Sequence, residues 1–139
     1  MQTGFRTKGK VEFRNITERI KKIIRKKGFM QGAVTVYVEH TTCAIAIMED
    51  EKGLKKDVKN WLDSKVHSGI SKDGPTFYHH QHPDGTTNSS AHIKAMIIGN
   101  SVIVPLDNHE LKLGRYQQIF LMEFDGPRIR KVDIRITSR

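Results

Sequence analysis

Apolar residues recur along the chain in two rhythms. Val34, Val36 and Val38 alternate with Thr35, Tyr37 and Glu39, the period of a strand with one buried face. Ile119, Leu121 and Glu123 alternate with Phe120, Met122 and Phe124, and Val132, Ile134 and Ile136 alternate with Lys131, Asp133 and Arg135. Cys43 to Met48 reads as a further strand, and residues 5–13 as an opening one. Ser101 to Leu106 reads as a strand that turns through Asp107-Asn108 toward Leu111 and Leu113.

Three stretches follow the helical period instead. Ile16, Ile20, Ile23 and Ile24 form one stripe. Asn15 or Thr17 is placed to cap it, with Glu18 as a capping-box partner three positions after Asn15, and Gly28 to end it. Leu54, Val58, Trp61, Leu62 and Val66 predict the buried face of a second helix, with Lys55, Lys56 and Lys59 opposite. Ser89 or Ser90 caps a short third one, Ala91 to Ile98, closed by Gly99. Six or seven strands with two or three helices, not in strict βαβ order, predict an α+β domain. Its sheets would be antiparallel or mixed and sandwich-like, with flanking helices. At 139 residues, one domain over 1–139 is expected.

Charge and cysteine change this picture little. The net charge is +9, but Lys21, Lys22, Arg25, Lys26 and Lys27 concentrate on the first helix. Such runs are usually solvated faces. Nucleic-acid binding is possible and not favoured, because no aromatic platform accompanies the charge. The one cysteine, Cys43, excludes an internal disulfide. Its apolar neighbours favour an inert buried thiol over a nucleophile activated by His40. No run approaches the ~20 apolar residues of a membrane helix, and Met1-Gln2-Thr3-Gly4-Phe5 lacks the apolar core of a signal peptide. A soluble protein in the cytoplasm is expected.

Candidate chemistry gathers between His40 and His92. Residues 67–89 are nearly free of aliphatic side chains, and a loop of that length is usually functional. Five of the seven histidines lie between His67 and His92. Imidazole is both a metal ligand and an acid–base group near neutral pH. His40-Thr41-Thr42 links two predicted strands, either as a ligand-facing corner or as a turn whose hydroxyls bond to backbone. In Glu49-Asp50-Glu51 one acid is accounted for as a helix N-cap. Glu49 is left as a base or as a partner to a ligand residue.

These residues carry a resemblance. His40-Thr41-Thr42, Glu49-Asp50-Glu51, Gly53-Leu54 and Lys56-Asp57 resemble the first block of the YjbQ-type family. Tyr78-x-His80 and Asn88-x-x-Ala91-His92-Ile93-Lys94 are similar to its second. Gly114-x-Tyr116-Gln117-x-Ile119 and Glu123-Phe124-Asp125-Gly126-Pro127-Arg128 are similar to its third. The chain departs with Arg115-Tyr116-Gln117-Gln118 where the family usually has Thr-Trp-Gln-Gly, and with additional histidines His79 and His82. The resemblance implies a compact β-rich α+β fold, a homotrimer, and a pocket whose histidines hold a metal. It also implies secondary thiamine-phosphate-synthase activity, joining a pyrimidine pyrophosphate to a thiazole phosphate. On that reading His40, His80 and His92 would hold a divalent metal, zinc or magnesium, and Glu49, Asn88 and His92 would be catalytic. Thr41, Thr42, Lys94, Gln117 and Arg128 would bind a phosphorylated small-molecule ligand. Metal-dependent hydrolysis and a non-enzymatic trimer that binds RNA are the alternatives.

Overall fold

The computed structural model describes residues 1–69 and 77–138. Its strands are β1 (Gln2–Arg6), β2 (Glu12–Asn15), β3 (Gly32–Val38), β4 (Cys43–Met48), β5 (Ser101–Asp107), β6 (Glu110–Leu111), β7 (Gln118–Glu123) and β8 (Ile129–Ser138). Its helices are α1 (Thr17–Lys27), α2 (Lys52–Lys65) and α3 (Ser89–Ile98). The strands form a five-stranded sheet, ordered β1-β8-β3-β5-β6, and a three-stranded sheet, ordered β2-β7-β4. Every pairing is antiparallel. The expected α+β class is observed.

The small sheet is the middle layer, which explains its sequence. Ile45, Ile119 and Leu121 from one face join Val34 and Val36 of β3 and Ile20 and Ile24 of α1 in one core. Ala44, Phe120 and Met122 from the other face pack with Leu62 of α2 and Ala91 and Ala95 of α3. Strands buried on both faces need apolar residues at successive positions rather than every second one. That is the composition of Cys43–Met48 and Ile119–Met122. Phe120 is fully buried, so truncating it to Ala would cost about 3–5 kcal/mol.

Three local expectations are corrected. Residues 5–13 are not one strand: the chain breaks after Arg6, and β2 crosses to the other sheet to pair with β7. The break is a strap. Thr7 N donates to Arg128 O at 2.9 Å and Gly126 N to Lys10 O at 3.0 Å. A Cβ on Gly126 would lie 2.3 Å from the Gly9 carbonyl oxygen, so only glycine lets the strap close. At α1 no capping box forms: Ile16 is the N-cap, Asn15 accepts from Thr17 N at 3.0 Å, and Glu18 pairs with Lys21. Trp61, expected in the core, is 53% exposed, because Leu62 rather than Trp61 faces the small sheet. Among the described residues no helix is long and apolar enough to cross a membrane.

Candidate functional site

The β4–β7 ladder has two chemically different ends. Its register sets Cys43 opposite Glu123 and Met48 opposite Gln118. At the Cys43–Glu123 end three segments converge: the β3–β4 corner, the start of α3 and the β7–β8 turn. Phe124 N donates to Thr42 O at 3.1 Å and ties the corner to the turn.

Beneath this junction lies a buried ion pair. Glu123 is 0% and Arg130 3% exposed. Arg130 Nε donates to both Glu123 carboxylate oxygens, at 2.9 and 3.0 Å, and Nη2 also bonds to the carboxylate. The same Nη2 donates to Thr42 Oγ1 at 2.7 Å, and Thr7 Oγ1 donates to Glu123 at 2.7 Å. Two dehydrated charges are tolerated only when such bonds saturate them. The pair thereby fixes Thr42, and with it the corner, on a rigid base.

Above it a polar chain crosses the opening. Asn88 occupies the N-cap position of α3, yet its side chain makes no cap. Its Nδ2 donates to Asp125 Oδ2 at 3.1 Å, and its Oδ1 lies 3.0 Å from His80 Nε2. The carboxylate only accepts, so the amide nitrogen must face it, and the amide oxygen then requires a proton on His80 Nε2. Arg128 donates through Nη2 to Asp125 Oδ2 at 2.9 Å and through Nε to the Asp125 backbone carbonyl at 2.8 Å. Burial raises the Asp125 pKa, but the bonds from Asn88 and Arg128 and the nearby arginine charges outweigh it and hold the carboxyl below its ordinary value. The His80 ring meets His92 edge-on at 5.0 Å between centroids and His82 at 5.6 Å.

His92 and His40 are both driven toward the neutral form. For His92 the first cause is burial and the second the neighbouring His80, with Asp125 and the Thr41 carbonyl acting in the opposite sense. For His40 burial again leads, followed by the Arg130 charge. His40 Nε2 accepts from Lys131 N at 3.0 Å, so its neutral ring carries the proton on Nδ1.

Two adjoining cavities of about 630 and 650 Å³ open here and share Asn88, Asp125 and Arg128. The larger is lined by His40, Thr41, Thr42, His92 and Arg130 as well. Of the residues expected from the sequence, His40, Thr41, Thr42, Asn88, His92 and Arg128 are brought together, and His80 adjoins them through Asn88. Glu49, Lys94 and Gln117 are not. β4 carries Glu49 roughly 20 Å along the strand from Thr42, to the other end of the ladder. Gln117 precedes β7 at that same end, where its Oε1 accepts from Gly114 N at 2.8 Å. Lys94 reaches α2 instead, in an ion pair with Asp63 at 2.5 Å.

Sequence reasoning passed over Glu123, Asp125 and Arg130 as site residues. The available signal was an acid, Glu123, closing an otherwise apolar strand, with Asp125 just beyond Phe124. A carboxylate there must be either partnered or out of register.

The donor set does not fit the expected three-histidine metal site. His40 Nε2 is occupied by a backbone N–H and His80 Nε2 by Asn88. Among the described residues no group of three or more His, Cys, Asp or Glu side chains is placed to hold a metal ion.

A family model described as UPF0047 protein YjbQ-like matches residues 1–139. The chain belongs to the UPF0047, YjbQ-like family. A UPF0047 protein of Archaeoglobus fulgidus is 36% identical over 135 residues, 97% of this chain and 98% of that one. The UPF0047 protein YugU of Bacillus subtilis is 32% identical over 126 residues, 90% of this chain and 89% of that one. Two crystal structures share the fold. One is an uncharacterized conserved protein of the YjbQ/UPF0047 family from Clostridium acetobutylicum, with TM-score 0.84, 33% identity and 99% of each chain covered. The other is a protein of unknown function from Sulfolobus solfataricus, with TM-score 0.88, 28% identity and 100% and 96% covered.

Family membership corrects the expected reaction. The UPF0047 relatives are described by a family name alone, which gives thiamine-phosphate synthesis no support. Among the described residues no group of side chains is placed to hold a metal ion, so the hydrolase alternative gains no support from the structure. The RNA-binding alternative gains nothing from the comparisons either.

Proposed function

We propose that the cavity at the Glu123 end binds a phosphorylated small molecule and that His92 exchanges a proton with it. The observation that carries this reading is the pairing of a neutral imidazole with a partly unused guanidinium on one cavity wall. Arg128 uses Nε and Nη2 on Asp125, its side chain is 54% exposed, and Nη1 has no partner among the described residues. A guanidinium edge, the Thr41 hydroxyl and an imidazole N–H are donors that suit a phosphate. Of the fixed charges nearby, Asp125 is paired with Arg128 and Glu123 with Arg130, and Glu39 stands exposed to solvent. Selection for an anion therefore rests on these spare donors and on the chain's charge of +9. Neutral His92 is in the state that accepts a proton.

Calorimetric titration with inorganic phosphate tests the reading. Binding is expected, and Arg128→Gln should weaken it at least about tenfold, since hydrogen bonds to charged groups contribute about 1.5–3 kcal/mol. Absent binding, or equal affinity in the variant, would reject it. We further propose that copies of the chain assemble as a homotrimer. Large exposed apolar side chains, among them Ile103 and Ile129, and an outer edge of β5 that β6 covers only at Leu106 and Asp107 support this. Light scattering should return three times the chain mass.

A further inference from the structure

The polar cavity shares a wall with a groove of opposite character. Glu39, His40, Thr41 and His92 line both it and a second cavity of about 410 Å³ between the β3–β4 corner and the end of α3. Val38, Cys43 and Ala95 form the floor of that groove, all buried. Burial pushes the Cys43 thiol up to about 11, so the floor stays uncharged across the physiological range. Met96 stands on the rim, 77% exposed. Gly99 and Asn100 line the groove as well, and a Cβ added at Gly99 would meet nothing within 4 Å.

Three features suit this groove to a small molecule. Its volume lies within the usual range for such sites. It is uncharged except at the shared rim, where Glu39 is solvent-exposed and screened. It also adjoins the polar cavity along shared lining residues, His40 and His92 among them, a placement that suits one molecule reaching both. A phosphate alone would leave the groove wet, with an unbranched, polarizable Met side chain exposed above it.

Resting on the phosphate reading above, we propose that the ligand is amphiphilic, and that its other half is an apolar, ring-sized group seated between Ala95, Met96 and Val38. His92 then stands at the junction of the two halves, beside the bond that joins them. That placement suits proton transfer to or from the bridging atom.

The test uses the full chain with its methionine methyls labelled with carbon-13 and the Met96 signal assigned through Met96→Leu. Inorganic phosphate and phenyl phosphate are titrated in parallel. Phenyl phosphate should bind at least about tenfold more tightly, the gain expected from burying one aromatic ring. It should shift the Met96 methyl by its ring current, whereas inorganic phosphate leaves that methyl in place. Met96→Ser should cut the advantage of phenyl phosphate about threefold or more without changing phosphate affinity. Phosphate binding with no preference for the phenyl ester, or a Met96 methyl that phenyl phosphate does not move, overturns this inference and spares the earlier one. A groove covered by a second copy of the chain would give an unmoved Met96 signal that responds to dilution, and also overturns it. If neither compound binds, both readings fail.

Discussion

The two ends of the β4–β7 ladder are built from similar residues and behave differently. At the Met48–Gln118 end, Asp50 bonds Asn15 at 2.8 Å and Lys55 at 2.5 Å, and Glu51 caps α2 through Gly53 N and Leu54 N. These charges stand in water, and each has a local structural task. At the Cys43–Glu123 end the acid and base are dehydrated, and the histidines above them are pushed toward neutrality. Acid-rich motifs therefore do not mark a site by composition. Burial beside an open cavity does.

The largest effect expected from this contrast is on stability. Glu123→Gln would leave Arg130 charged and unpaired in the interior, and breaking one partner of such a pair costs about 3–5 kcal/mol. Asp50→Asn, at the exposed end, should cost under about 1 kcal/mol. Urea unfolding of both variants at neutral pH checks the ranking. Equal losses would erase the distinction between the ends.

A second effect should appear with pH. Burial lowers the pKa of His92 and His40 below 6.5 in the folded chain, so below that pH the unfolded state binds more protons. Their contribution is fully present above 6.5 and is lost as pH falls from there through the folded values. The lowered carboxyl of Asp125 acts only at lower pH, where it too loses its contribution on protonation. Thermal midpoints should fall between pH 7.5 and 5.5, and His92→Gln should flatten that slope. An unchanged slope would mean that His92 is as hydrated as a surface histidine.

The fold was more legible than the site because periodicity reports burial directly. The alternation of β3 and the continuous apolar runs of β4 and β7 follow from one-sided and two-sided burial. Residues 5–13 misled because the strap at Gly9 is fixed by Gly126, more than a hundred positions away. His40 and His92 were legible as histidines at element ends. Glu49 and Gln117 looked equivalent to them because strand direction, not motif, decides which end a residue reaches. Arg130 was invisible because its partner Glu123 sits across a turn, and an alternating Arg reads as a solvent-facing position.

The smallest effects should come from the far end. Glu49→Gln and Gln117→Ala should leave phosphate affinity unchanged within about twofold, since roughly 20 Å of strand separates them from the cavity. A marked loss would place a ligand, or a neighbouring copy of the chain, across both ends.

The most direct measurement follows the histidine rings themselves by nitrogen-15 NMR while inorganic phosphate is added at several pH values. A phosphate bound beside His92 stabilises the imidazolium. The His92 signals should therefore shift saturably and the His92 pKa should rise, with His109 at the β5–β6 turn unaffected. Arg128→Gln should suppress the response. A His92 resonance that ignores phosphate, or shifts no more than that of His109, would contradict the assignment of this cavity as the binding site.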